Sequence, residues 1–102
     1  MRSVHRWRVK SGQEETFVKV WNQATKAIRE RVKGARGGLL LRSRREPAEF
    51  IVAARWDSFQ DWQNFMQGNL ATLEAFGILS QSAQILSAEV FDEVEDLLDR
   101  EP

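Results

Sequence analysis

One histidine, His5, and four tryptophans, Trp7, Trp21, Trp56 and Trp62, hold most of the chemistry that this sequence offers. An imidazole titrates near neutral pH without a special environment, so His5 is the candidate general base for a phenol or hydroquinone. Indoles supply large apolar walls with one N–H donor each, and rings of this kind around a few polar groups describe a pocket for an aromatic ligand. Trp7, Trp21, Trp56 and Trp62 are therefore the candidate substrate-binding residues. Each has a structural alternative. Trp62 shares a helical face with Phe59, Phe65 and Met66, the pattern by which a helix packs on a sheet. Trp56 either plugs the end of the fold or walls a cavity, and His5 can equally be a strand-end histidine bonded to backbone or solvent.

Other chemistries are poorly supplied. The absence of cysteine removes thiolate catalysis, disulfides and cysteine metal sites. With a single histidine, a zinc site would rest mostly on carboxylates, so no metal site and no cofactor is expected. Gly34, Gly37 and Gly38 follow a helix and precede a strand, the reverse of the order a phosphate-binding helix N-terminus requires. Arg36, Arg42, Arg44 and Arg45 form a basic cluster without any nucleic-acid-binding motif, and a solvated turn or salt bridges accounts for it better. Residues 1–50 carry 13 Lys+Arg against 5 Asp+Glu, and residues 51–102 carry 2 against 10, a split of +8 and −8 that cancels over the chain. A chain of 102 residues supports one domain, so the two halves should lie side by side and neutralise each other. No apolar run approaches a membrane span and no secretory signal is visible, which makes the cytoplasm the expected compartment, with neither membrane nor nucleic acid as partner.

The elements that must position these residues follow from hydrophobic period. Ser3–Lys10 alternates, with His5, Trp7 and Val9 opposite Arg6, Arg8 and Lys10, as in a half-buried strand. Phe17, Trp21, Ala24, Ile28 and Val32 then form one helical stripe that Gly34 ends. Gly37–Gly38 reads as a loop before a hairpin whose strands are Leu39–Ser43 and Glu49–Trp56, with a polar turn around Glu46–Pro47. Ser58 is the expected cap of a helix from Phe59 to about Gln67, supported by Asp61 in its first turn. A weaker helical piece spans residues 71–79, interrupted at Gly77, and a last strand runs Ala83–Glu93. Residues 1–94 make the domain and 95–102 an acidic tail.

The order β-α-β-β-α-(α)-β predicts an α+β fold, a ferredoxin-like split βαβ with a four-stranded antiparallel sheet and helices on one face. The other face still carries apolar residues, and the chain has nothing left to cover it. A homodimer formed through the sheet faces follows. Arg55, pointing away from Trp56, is expected at that interface paired with a carboxylate.

The segment "FIVAARWDSFQDWQNF", preceded by "GARGGLLLRS" and opened by "RWRVKSGQEETFVKVW", resembles the antibiotic biosynthesis monooxygenase family over about residues 3–92. Trp56, Asp57, Ser58 and Trp62 carry its most specific signature. The resemblance implies a dimeric α+β barrel and a cofactor-independent monooxygenase acting with O2 on a small aromatic, quinol- or polyphenol-like substrate. In family members of that type the tryptophan closing the third strand lines the cavity, which corresponds to Trp56, and an aromatic on the next helix corresponds to Trp62. The asparagine that assists four residues before the strand tryptophan is Val52 here. The family also includes haem-binding and haem-degrading enzymes, and their asparagine, tryptophan and histidine fall at His5, Trp62 and Thr72, so only the tryptophan is kept. A third alternative is a non-catalytic dimeric ligand-binding or interaction module whose pocket is filled by its own tryptophans.

Overall fold

The computed structural model describes residues 1–68 and 70–98. Its elements are β1 (Arg2–Val9), α1 (Glu14–Arg31), β2 (Ala35–Arg42), β3 (Glu49–Trp56), α2 (Phe59–Met66), α3 (Leu70–Leu79) and β4 (Ala83–Phe91). The strands form one antiparallel sheet in the order β2-β3-β1-β4, with the helices on one face, as the ferredoxin-like pattern predicts. No helix among the described residues is long and apolar enough to cross a membrane.

The pleat decides which residues reach the helices. Because β1 pairs Trp7 with Phe50, His5 with Val52 and Ser3 with Ala54, these side chains share the helix-covered face. Trp7, Val9, Phe17, Phe50, Leu79 and Ala83 form one buried cluster, and Ala35, Trp56 and Phe65 form a second. Phe17 sits between the Trp7 ring at 5.8 Å and the Phe50 ring at 5.4 Å, which seats the first turn of α1 on the sheet. At the start of α2, the backbone N–H of Asp61 donates to Ser58 Oγ at 3.1 Å, so the expected cap is present.

Three boundaries differ from the sequence reading, each for a local reason. β2 begins at Ala35, so Gly37 and Gly38 lie within a strand rather than in a loop. The β2–β3 register shifts between Ala35 and Gly38, and Gly37 has φ +81°, as at a bulge. A Cβ on Gly38 would lie 2.7 Å from the Ala53 carbonyl oxygen, so glycine is there to let two backbones approach. α3 runs unbroken through Gly77, because burial of Ala75 and Leu79 outweighs the roughly 1 kcal/mol that a helical glycine costs. β4 ends at Phe91, and residues 92–98 have no regular structure. The remainder of the expected acidic tail, residues 99–102, lies outside the described residues.

The charge split is bridged in part. Arg2 Nε bonds Glu93 Oε1 at 2.7 Å, and Arg36 grips both carboxylate oxygens of Asp57 at 2.8 and 2.9 Å, each pair joining the basic half to the acidic half. Arg6 pairs with Glu49 within the sheet. Arg36 holds the Asp57 carboxyl below its ordinary range, and Arg2 does the same to Glu93.

Gly38→Ala should destabilise the protein by about 1–3 kcal/mol through overpacking against Ala53. Urea unfolding followed by tryptophan fluorescence measures this, and an unchanged midpoint would contradict the close approach of β2 to β3.

Candidate functional site

Between the sheet, α1 and α3 lies a cavity of about 70 Å³, within a recess of about 620 Å³ when its open mouth is included. His5 and Trp7 of β1, Trp56 of β3 and Trp21 of α1 all line it. Of the four tryptophans singled out in the sequence, the structure thus brings three together with His5. Trp62 is not among the described lining residues. It lies half-buried on α2, its ring 5.7 Å from that of Phe59, and packs against the Trp56–Phe65 cluster from outside.

Each lining residue has a distinct state. Trp56 is fixed: its indole N–H donates to Ser3 Oγ at 3.1 Å and its ring rests 5.3 Å from Phe65. With its only donor used, Trp56 offers the cavity an apolar surface. His5 is 8% exposed and Trp7 1% exposed, yet neither His5 Nε2 nor Trp7 Nε1 finds a hydrogen-bond partner among the described residues. Such groups are uncommon in folded proteins, because an unsatisfied buried polar atom costs about 1–3 kcal/mol. Burial also pushes the His5 pKa below its ordinary value of 6.5, since a low-dielectric surrounding disfavours the imidazolium. At neutral pH His5 is therefore a neutral imidazole, the form able to take up a proton.

Three contributors escaped the sequence reading. Ser3 orients Trp56 and lines the cavity. Phe65, expected only to pack its helix, lines the cavity too. Phe76 of α3 covers the polar pair, with ring centroids 6.0 Å from His5 and 5.8 Å from Trp7, stacked on the latter. The only available signal for Phe76 was that it is the one aromatic ring in "ATLEAFGIL", a segment whose apolar residues mark no single face.

Size and donor set bear on the ligand. A cavity of roughly 150 Å³ holds benzene, so an aromatic ring enters this one only if lining side chains move. Among the aromatic lining residues, Trp21 and Phe76 are half-buried while Trp7, Trp56 and Phe65 are fully buried, so these two have the most room to move. A porphyrin would need several hundred Å³. At position 72 stands a buried threonine whose hydroxyl donates to the Phe65 carbonyl, so the haem-binding expectation does not fit this cavity. Among the described residues no group of three or more His, Asp or Glu is placed to hold a metal ion.

Comparison with known proteins adds a family and a fold. A family model described as antibiotic biosynthesis monooxygenase matches residues 1–72. Among solved structures, SnoaB from Streptomyces nogalater, a cofactor-independent oxygenase, is 19% identical with a TM-score of 0.76, covering 96% of each chain. A Caulobacter crescentus protein described as a candidate antibiotic biosynthesis monooxygenase is also 19% identical, with a TM-score of 0.76 over 92% of this chain and 89% of that one. A similarly described protein from Bordetella bronchiseptica is 18% identical, with a TM-score of 0.73 over 90% and 96%. At these identities the likeness establishes the fold. No curated protein matches the sequence.

The lowered His5 pKa makes stability pH-dependent with a definite sign. Below pH 6.5 the unfolded chain takes up a proton that the folded chain resists, so the His5 contribution is complete above pH 6.5. It is lost as pH falls through that value toward the lower folded-state pKa. Urea midpoints measured between pH 7.5 and 5 should fall for the natural protein, and His5→Gln should flatten this part of the profile. An identical slope in both proteins would show that His5 is not held neutral by burial.

Proposed function

The chain belongs to the antibiotic biosynthesis monooxygenase family, and from that premise we propose that it is a cofactor-independent monooxygenase oxidising a small quinol- or polyphenol-like substrate with O2. The observation that carries this reading is one buried imidazole, with Nε2 unpartnered among the described residues, inside a largely apolar cavity with five aromatic walls. A phenolic hydroxyl bound there donates to His5 Nε2, and the neighbouring Trp7 N–H, itself unpartnered among the described residues, is a donor for the phenolate. Removal of the proton raises the electron density of the ring, which passes an electron to O2. The resulting radical pair combines at a ring carbon to a hydroperoxide. Cleavage of the O–O bond with loss of the C–H proton at that carbon leaves a quinone. One oxygen atom ends in the new carbonyl and the other departs as water, protonated in part by the proton held on His5. The apolar walls of Trp56, Phe65 and Phe76 exclude water, which keeps the phenolate from being quenched. SnoaB, described as a cofactor-independent oxygenase, shares the fold and supports the assignment of class.

The proposal includes a second copy of the chain. The face of the sheet away from the helices carries Val4, Leu39, Leu41, Ile51, Ala53 and Phe91, and among these Leu39, Leu41 and Phe91 are exposed in the single chain. Packing two such faces together buries them as the two layers of a barrel.

Oxygen uptake with a panel of phenols, hydroquinones and anthrones tests the reaction. Turnover above the protein-free rate is expected, and His5→Gln should reduce kcat by about a hundred- to ten-thousandfold, the usual worth of a general base. No uptake by the natural protein across the panel would favour the non-catalytic ligand-binding module. Light scattering at micromolar concentration should give twice 11.8 kDa, and Leu39→Glu with Leu41→Glu should return it to one chain. A natural protein that scatters as a monomer would refute the face-to-face assembly.

A further inference from the structure

The ring that narrows the cavity is Phe76, and it stands where an aromatic ligand would. Its centroid lies 5.8 Å from that of Trp7, with 27° between the planes, 6.0 Å from His5 and 6.4 Å from Phe65. It packs against both buried clusters, so it stands at the seam between them. The two rings it covers are those whose nitrogens, His5 Nε2 and Trp7 Nε1, have no partner among the described residues. A phenyl ring has no donor or acceptor to offer either of them.

Two half-buried rings border the cavity, and they have different places. Trp21, with Thr25 and Gly37, lines both the cavity and a shallow depression outside it, so Trp21 marks the mouth. Phe76 is the one in ring contact with His5 and Trp7. Its removal would leave a space the size of one six-membered ring, set against Trp7 and joined to the existing cavity of about 70 Å³. Against the roughly 150 Å³ that holds benzene, that combined space is sufficient. α3 can release the ring without leaving the sheet. Ala75 and Leu79 are buried, and the Thr72 hydroxyl donates to the Phe65 carbonyl, so residues other than Phe76 anchor the helix. A second depression, between α1 and α3, shares Ala24, Ile28 and Ala75 with the cavity, so the seam beside Phe76 is itself loosely packed.

We propose that Phe76 holds the place of the substrate's ring: a phenol displaces it, stacks on Trp7 in its stead and donates its hydroxyl to His5 Nε2. This deepens the oxygenase reading above and rests on it for the identity of the ligand. The consequence is a threshold for entry. Burying one ring while exposing another of like size changes apolar burial little, so a bare ring gains nothing over Phe76. A hydroxylated ring gains the hydrogen bond that Phe76 cannot make. The cost of moving Phe76 is common to every ligand and lowers all affinities by one factor. Phe76 is thus a specificity-determining residue, and the hydroxyl is the condition of entry.

Ligand-detected NMR titration with phenol and with benzene tests this without requiring turnover. Phe76→Ala should bind phenol at least tenfold more tightly than the natural protein. Phe76→Leu, which keeps an apolar side chain on α3 and guards against misfolding, should bind it severalfold more tightly. Benzene should bind measurably to Phe76→Ala and not to the natural protein. Adding His5→Leu to Phe76→Ala should erase the preference for phenol while benzene still binds. A residue that only packs the core would lower the melting temperature on substitution without raising phenol affinity. Unchanged or weaker phenol binding in both Phe76 variants therefore overturns the proposal. A phenol preference that survives His5→Leu overturns the pose at His5. Oxygen uptake by the natural protein with no affinity gain in either variant removes the role of Phe76 and leaves the reaction intact. The affinity gains without any oxygen uptake by the natural protein sustain the role of Phe76 and remove the reaction.

Discussion

Because β1 lies between β3 and β4, its side chains cannot choose a face independently of its neighbours. The pleat sends Ser3, His5, Trp7 and Val9 under the helices and Arg2, Val4, Arg6 and Arg8 to the other side. A one-residue slip would put three arginines beneath α1 and α3, so this register is strongly specified. Its cost is that a serine and an imidazole are carried into the interior with the tryptophan and valine. The fold answers for Ser3, whose hydroxyl receives the Trp56 indole N–H. It does not answer for His5 Nε2 or Trp7 Nε1.

Those two nitrogens belong to residues that line a place where the core is also incompletely packed. Elsewhere ring meets ring: Phe17 on Trp7 and Phe50, Phe65 on Trp56. Between His5 and the mouth at Trp21 the side chains leave a cavity. Unsatisfied polar atoms and lost packing contacts both cost stability, of the order of 1 kcal/mol or more each. Natural folds keep such inconsistencies chiefly where a ligand offsets them. Phe76 covers both groups, with its ring against His5 and stacked on Trp7.

Electrostatics plays a subordinate part in the single chain. The described bridges are largely exposed, where solvent screening leaves ion pairs little net effect on stability. Their value is positional: Arg36 and Asp57 tie the start of β2 to the junction between β3 and α2, next to Trp56 and the mouth. The basic side of α1 and β2 and the acidic segment after β4 remain at opposite edges, so the chain alone does not bring all its opposite charges together.

Much of this was written in local pattern. Period-two alternation placed His5 and Trp7 on one face of β1, four-three steps placed Trp21 on the inner stripe of α1, and Ser58 announced α2. These features concern residues a few positions apart, where backbone geometry fixes which side chains share a face. The glycines at 37 and 38 misled for the same reason: locally they break structure, and only the approach of β3 shows that they permit a bulged strand. Likewise Trp62 and Phe65 share one helical stripe, and the sequence cannot tell which of them the sheet will place against Trp56 and the cavity and which it will leave outside. Ser3 as partner of Trp56, Phe76 as cover of His5, and the cavity's small volume depend on contacts across 53, 71 or more positions. Local pattern was enough to set the α+β order and the inward faces of the strands and of α1. Which of those inward residues surround an empty space emerges only on folding, because it depends on how side chains from separate elements fill the volume between them.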